Sequence, residues 1–284
     1  MDRNIIEDNL STGSIRNVAH YTKIGNLANF MPKLNIGWSS AWATPIQFLN
    51  DRLELVLGLN TIMRALRART PEQNIDKRVL LILTSLLEDA GRTETDAFQM
   101  SFSGNVDDLG QWRGYGSNGF GCSVVTSSVA VWEVSDVAGW VIYDKSAQEI
   151  FANNLLDNLF RKLGDKIIDF EIPNIEKILI SAAGFMKHEG FRSEEEFRLI
   201  KFASPEDVHF RESGDRIVPY IDFLKNKSPL PINKIYVGPG WQLHDKPKLE
   251  FNRNHIVQAI SRILYARGLQ NVPIEPSSIP YDPK

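Results

Sequence analysis

The chain has 284 residues, a formal net charge of −3 and one cysteine, Cys122. A charge this small excludes a global attraction to nucleic acid or to an anionic membrane surface, and a lone cysteine excludes an internal disulfide framework. Hydrophobic residues make up 43% of the sequence, so a chain of this length buries a sizeable core without cross-links.

The start, Met1-Asp2-Arg3-Asn4, is polar, and residues 1–12 read as a flexible lead-in with no signal peptide. Val18-Ala19-His20-Tyr21-Thr22 reads as a short strand, Ile24 to Phe30 as a helix, Leu34 to Ser40 as a second strand, and Pro45 to Leu49 as a loop. Leu49-Asn50-Asp51-Arg52-Leu53-Glu54 opens a helix, with Asn50 or Asp51 as N-cap. Helical periodicity over Leu53 to Arg69 and Asp76 to Ala90 predicts an αα-hairpin about Thr70-Pro71, with Gly91 just past the second helix. Its apolar run, Val79 to Leu83 continuing to Leu87, is far shorter than the ~20 residues of a membrane span, so a cytoplasmic protein with no membrane partner is expected.

Alternation then predicts a strand over Ala97 to Ser103, followed by a short helix at Asp107 to Tyr115 and a turn at Ser117-Asn118-Gly119. Phe120 to Thr126, Val131 to Val134 and Trp140 to Tyr143 read as strands, with Cys122 a small core residue. Lys145 to Leu163 and Ile172 to Lys187 read as helices. Strands follow at Glu195 to Phe202, Ile217 to Phe223 and Ile232 to Val237. A helix over Asn252 to Arg267 precedes a Pro-rich tail at about 270–284. This order lacks a βαβ rhythm and predicts an α+β fold with a mixed, mainly antiparallel sheet. Residues 1–284 read as a single domain with a helical insertion at about 50–91.

Common catalytic signatures are missing: there is no Walker A loop, G-x-S-x-G elbow, H-E-x-x-H or paired C-x-x-C. The five histidines are scattered, so no metal site is expected. Gly114-Tyr115-Gly116 and Gly119-Phe120-Gly121 read either as a turn or as backbone passing close to a ligand. Three polar constellations remain. His20-Tyr21-Thr22 offers ligand donors on a strand. Ser101 and Ser103 share one strand face, and Trp112 and Tyr115 share a helix face, as core or as an aromatic wall for a planar ring.

The third is Ser193-Glu194-Glu195-Glu196-Phe197-Arg198. As a strand it places Glu194, Glu196 and Arg198 on one face, ~7 Å apart in succession. Two readings stand: a paired-carboxylate site for acid–base work or for stabilising a developing cation, or charges guarding an exposed sheet edge.

In order, these motifs resemble a bacterial family of unknown function associated with phage-defence neighbourhoods. The residues are His20-Tyr21-Thr22, Asn50-Asp51-Arg52-Leu53-Glu54, Phe102-Ser103, Trp112-Arg113-Gly114-Tyr115 and Glu194-Glu195-Glu196-Phe197-Arg198. The layout also resembles the ADP-ribosyltransferase superfamily. That resemblance implies a split, mixed sheet around NAD as substrate, with Glu196 as catalytic glutamate and Glu194 as the second acid. It implies His20 on the nicotinamide ribose or its phosphate, with Tyr21 and Thr22 beside it, support from Ser101, Ser103 and Arg198, and Trp112 and Tyr115 against the nicotinamide. It further implies a toxin or anti-phage effector with an RNA, DNA or protein acceptor and an antitoxin partner. Two other classes are an RNA-binding module using Arg64, Arg67 and Arg69, and a nuclease holding Mg²⁺ through Asp107, Asp108, Glu194 and Glu196.

Overall fold

A computed structural model describes residues 4–7, 10, 15–31, 38–48, 53–69, 77–89, 96–165, 172–213, 215–241 and 247–283. The fold is α+β, and the described residues place ten strands in one mixed, mostly antiparallel sheet. The strands are β1 (Asn17–Thr22), β2 (Trp42–Pro45), β3 (Ala97–Ser103), β4 (Cys122–Ser127), β5 (Val137–Trp140), β6 (Glu196–Phe202), β7 (His209–Ser213), β8 (Arg216–Asp222), β9 (Lys234–Val237) and β10 (Ile274–Pro276). The helices are α1 (Asn4–Glu7), α2 (Leu27–Phe30), α3 (Leu53–Arg67), α4 (Lys77–Asp89), α5 (Leu109–Gly114), α6 (Ser128–Val134), α7 (Lys145–Asp165), α8 (Ile172–Gly184) and α9 (Pro247–Ala266). Among the described residues no helix is long and apolar enough to cross a membrane.

β3 organises the sheet. One of its edges pairs with β6 over all seven residues, from Ala97↔Phe202 to Ser103↔Glu196. The other edge is shared. β1 meets it only at Ala19↔Ser103, and β2 takes the far end through Thr44↔Gln99 and Pro45↔Phe98. The sheet therefore splits between β1 and β2 beside the middle of β3. β1 continues outward to β4, β9 and β10, and β2 to β8 and β7.

Strand alternation sorts the two faces. Phe98, Met100 and Phe102 of β3 and Phe197 and Leu199 of β6 join one apolar core with Val18, Trp38, Val124 and Ile260. On the opposite face Ala97 and Ile200 join a second core built from α1, α3, α4, α7 and α8. The helical pair α3 and α4 thus belongs to the main interior. That second face becomes polar beyond Ile200, where Arg198 and Glu196 lie opposite Ser101 and Ser103.

Several sequence expectations change. Val131 to Val134 lies within helix α6, because Ser127 caps its start by accepting from the Val129 N–H and turns Val131 and Val134, three apart, to the interior. Strands β2, β7 and β10 lie where no strand is expected, β5 ends where the strand expected at Trp140 to Tyr143 begins, and Asn4–Glu7 is helical within the expected flexible lead-in. The N-cap expected at Asn50 or Asp51, the turn at Thr70-Pro71 and Gly91 lie outside the described residues. Trp38 makes one bridge, to Leu230, in the segment read as a strand. Cys122 is a core residue, and burial pushes its thiol up to about 12. The glycine-rich stretch forms a tight turn in which Asn118 and Gly119 take positive φ.

Gly58 marks the closest approach of two helices. A Cβ added there would lie 2.5 Å from Ala183 Cα in α8 and collide with the Ala183 carbonyl. Glycine inside a helix ordinarily costs about 1 kcal/mol relative to alanine, so Gly58→Ala would stabilise an isolated α3. Here the clash with backbone wins. We expect Gly58→Ala to destabilise the protein by roughly 1–3 kcal/mol, read as a lower urea midpoint, whereas a raised midpoint would show that α3 can move away from α8.

Candidate active site at the sheet split

A cavity of about 270 Å³ opens where the sheet splits. Its walls come from β1 (His20, Tyr21, Thr22), β2 (Trp42, Thr44), β3 (Gln99, Ser101, Ser103), β6 (Glu196, Arg198) and β7 (Arg211), with Tyr115 and Lys187 at one end. The site gathers around Glu196. β6 is paired on both sides, with β3 and with β5, so the edge-guarding reading of the acidic segment does not hold. Glu196 is 8% exposed and Arg198 1%. The Glu196 Oε2 accepts from Arg198 Nε at 2.9 Å, from Arg198 Nη2, and from Lys187 Nζ at 3.3 Å. Burial by itself would raise the Glu196 pKa, but the charges of Arg198 and Lys187 outweigh it and hold the carboxyl below its ordinary value. Glu196 is ionised at neutral pH, and its Oε1 has no hydrogen bond among the described residues.

Glu194 arrives differently from the sequence expectation. It is not on β6 but ends a 3-10 turn, Glu189–Glu194. Glu195 then adopts a left-handed conformation, φ 41 and ψ 55, rare for a side chain of this kind. That kink, rather than strand alternation, lets both carboxylates reach one cation: Lys187 Nζ is 2.5 Å from Glu194 Oε2. The Tyr115 hydroxyl donates to Glu194 Oε1 at 3.2 Å. Burial first, and the Glu194 charge second, push the Tyr115 pKa up to about 12.

Ser103 ties this turn to the sheet. Its hydroxyl donates to the Glu194 carbonyl at 2.7 Å and accepts from the Asn105 N–H at 3.1 Å. Tyr143, which sequence reasoning did not single out, accepts the Glu196 N–H at 2.9 Å. Ser101 accepts from Gln99 Nε2 at 3.2 Å. Two buried polar atoms of the cavity walls, Gln99 Oε1 and Arg211 Nε, have no hydrogen-bond partner.

His20 and Tyr21 separate, as strand alternation requires. His20 sits among Phe30, Trp38 and Phe102, with ring centroids 5.8–5.9 Å away. Its Nδ1 lies 3.1 Å from the Ser101 carbonyl, and donates if that nitrogen carries the proton. Burial pulls its pKa down to about 4, against the raising effect of that bond and with a smaller push from the Arg211 charge. His20 is therefore a neutral imidazole at pH 7. Thr22 shares its face and accepts from Asn26 Nδ2 at 2.8 Å.

The Tyr21 ring points the other way, onto Trp112 with centroids 4.8 Å apart. Its hydroxyl donates to the Asn105 carbonyl at 2.6 Å and accepts from the Asp108 N–H. Trp112 is fully buried and is not part of the cavity wall. The aromatic-wall expectation thus fails for Trp112 and leaves Tyr115. Trp112 packs as core because its Nε1–H is satisfied by Asp107 at 2.7 Å.

Asp107 and Asp108 are taken up by structural hydrogen bonds. Asp107 also accepts from Ser277 and from Ser278, and Asp108 caps α5. Among the described residues, no group of three or more His, Cys, Asp or Glu is arranged to hold a metal ion. Arg69 lies beyond the end of α3 and is tied to Asp157 and the Asn153 carbonyl of α7. Arg64 donates to Thr61. The three arginines do not form a single solvated helix face.

Sequence reasoning missed Lys187 and Arg211. Lys187 follows α8, where Met186 bridges to Ile142 and Gln148 Nε2 donates to the Lys187 carbonyl at 2.8 Å. Read as the last residue of a helix, it gave no functional signal. The lone charge ending the apolar run Ile178 to Met186 was the available clue.

A family model described as "Protein of unknown function (DUF2971)" matches residues 111–199, less than a third of the chain. No curated protein and no solved structure matches the chain. The matched span contains Tyr115, Lys187, Glu194, Glu196 and Arg198, the acidic end of the cavity. The class the fold and site define is an α+β protein with a buried carboxylate–cation cluster at a split sheet. Part of it is similar to this family.

A neutral buried His20 has a consequence for stability. Its folded pKa, about 4, lies below the ordinary 6.5. Between those values the unfolded chain binds the proton and the folded protein does not, so stability falls as pH drops through this window. The full effect is at most on the order of 3 kcal/mol. We expect the urea-unfolding free energy of His20→Phe to fall by roughly 1 kcal/mol less than that of the unaltered protein between pH 7 and 5.5. Equal losses would mean that His20 takes up its proton normally when folded.

Proposed function

We propose that the cavity is the active site of an NAD-dependent ADP-ribosyltransferase, with Glu196 as the catalytic carboxylate. One observation carries the reading. His20, Ser101, Ser103 and an ionised Glu196 with an unengaged oxygen, residues from three strands, line a single cavity at the split of the sheet.

Breaking the nicotinamide–ribose bond sends the electron pair to the nicotinamide nitrogen and leaves positive charge on the ribose carbon. A fixed carboxylate in a water-poor site stabilises that charge without having to reorganise. Arg198 and Lys187 hold Glu196 through Oε2, which leaves Oε1 to accept from a ribose hydroxyl. An acceptor oxygen or nitrogen then bonds to the ribose carbon, and its proton passes to Glu194 at the rim, where Tyr115 also lies. At about 270 Å³ the cavity is at the lower edge of the usual ligand-site range of roughly 300–1,000 Å³. It suits the nicotinamide, its ribose and the adjoining phosphate of the dinucleotide, with the adenosine part outside. His20 presents a neutral ring amid aromatic side chains, compatible with a planar, cationic nicotinamide. The macromolecular acceptor, and a role as a toxin or anti-phage effector with an antitoxin, rest on the family resemblance.

Nicotinamide release from NAD by the full-length protein tests this without knowledge of the acceptor. Glu196→Gln should slow it by about 100-fold or more. Because Gln leaves Arg198 and Lys187 facing a neutral partner, Glu196→Asp is the companion variant: it keeps the charge and withdraws the carboxylate by one methylene. It should fold, as judged by circular dichroism, and still lose most activity. No release by the unaltered protein at saturating NAD, or undiminished release by a folded Glu196→Asp, would sink the proposal.

A further inference from the structure

The geometry points to a second subsite at the opposite end of the cavity, where Arg211 binds a phosphate group of the substrate. The polar face of the sheet is a ladder with two unlike ends. Glu196 lies opposite Ser103, and Thr44 lies opposite Gln99. Gln99 and Ser103 are four positions apart on β3, about 14 Å along the strand. At the Ser103 end the cations Lys187 and Arg198 are matched by Glu194 and Glu196. At the Gln99 end stands Arg211, brought in from β7, with no carboxylate in ion-pair range among the described residues.

Arg211 is also under-satisfied. Its Nε is buried without a partner, and its one side-chain hydrogen bond among the described residues, Nη2 to Thr44 Oγ1, is long at 3.4 Å. The guanidinium lies 5.5 Å from the centroid of Trp42, which itself packs on Tyr220. An aromatic neighbour of this kind orients the fork without neutralising it. Burial lowers the Arg211 pKa, the expected sign for a cation drawn from water without a counter-charge, yet an arginine keeps its proton. A half-buried guanidinium with its Nε–H shut off from water and no counter-charge is costly. A phosphate offers several acceptor oxygens, matches the planar fork in bidentate fashion and leaves an oxygen for the Thr44 hydroxyl.

The inference rests on the NAD reading only in assigning this phosphate to a dinucleotide; the anion subsite itself stands on the cavity geometry. Inorganic pyrophosphate is the direct probe, titrated calorimetrically into the full-length protein. Binding is expected, with Arg211→Met weakening it about tenfold or more and Arg211→Lys, a point charge without the fork, falling between. Absence of binding to the unaltered protein, or equal affinity in Arg211→Met, overturns the subsite. In turnover, Arg211→Met should raise KM for NAD by about tenfold with kcat nearly held. It should leave KM for nicotinamide riboside, which has no phosphate, unchanged, and an equal rise for both substrates would also overturn it. Pyrophosphate bound through Arg211 in a protein that never releases nicotinamide would leave the subsite standing and remove the NAD reading. Nicotinamide release indifferent to Arg211, without pyrophosphate binding, would do the reverse.

Discussion

Arg198 is a charged side chain at 1% exposure, and a guanidinium placed there must be met by charge and hydrogen bonds or cost several kcal/mol. Glu196, two residues along the same strand, accepts from Nε and Nη2, while Nη1 donates to the Gly184 carbonyl at 2.7 Å. That last bond sits at the end of α8, so the helix terminus, β6 and the carboxylate are positioned together. Lys187, three residues beyond, joins the same Oε2 and carries Glu194 with it. Taking one partner from such a cluster typically costs roughly 3–5 kcal/mol, because the remaining charge stays buried. The end of α8, the kink at Glu195 and the orientation of Glu196 are thus one arrangement.

The split in the sheet supplies what the cluster lacks, which is access. Had β1 followed β3 along its full length, the middle of β3 would have been closed by ladder hydrogen bonds. Because β1 pairs at Ala19↔Ser103 and β2 only at Thr44 and Pro45, Ser101 is left beside open space. His20 and Thr22, on the opposite face from Tyr21, reach the cavity through this gap. The hydrogen bond between the His20 ring and the Ser101 carbonyl satisfies a backbone group that a continuous ladder would otherwise have taken. The site follows from incomplete strand pairing as much as from particular side chains.

This also explains what could be read from the sequence. β3, α7, α8 and β6 are long, periodic segments whose local pattern agrees with their burial, and their expected bounds lie within a few residues of those observed. α6 was misread because its valines favour a strand locally, and the Ser127 cap outweighed them. β7 was missed because His209-Phe210-Arg211-Glu212-Ser213 is short and charged, and Arg211 went with it. Glu194 and Glu196 were paired for the wrong reason: alternation suggested one face, whereas a left-handed Glu195 brings them to one lysine. No local pattern encodes that convergence, which depends on where α8 ends and on a sheet split between strands far apart in sequence.

Whether the carboxylate–cation cluster is only structural turns on how its hydrogen bonds are distributed. A carboxylate present solely to neutralise Arg198 would gain most from a bidentate pair, with two parallel bonds from the guanidinium, one to each oxygen. Glu196 instead gathers Arg198 and Lys187 on Oε2 and leaves Oε1 without a donor among the described residues, although the residue is 8% exposed and lines the cavity. That oxygen is not among the buried polar atoms that lack a partner, so it stays open to the cavity. The carboxylate is held through Oε2 by Lys187 and by Arg198, which the Gly184 carbonyl anchors in turn. A carboxylate held through one oxygen keeps the other for a group in the cavity, a distribution that neutralising Arg198 alone does not call for.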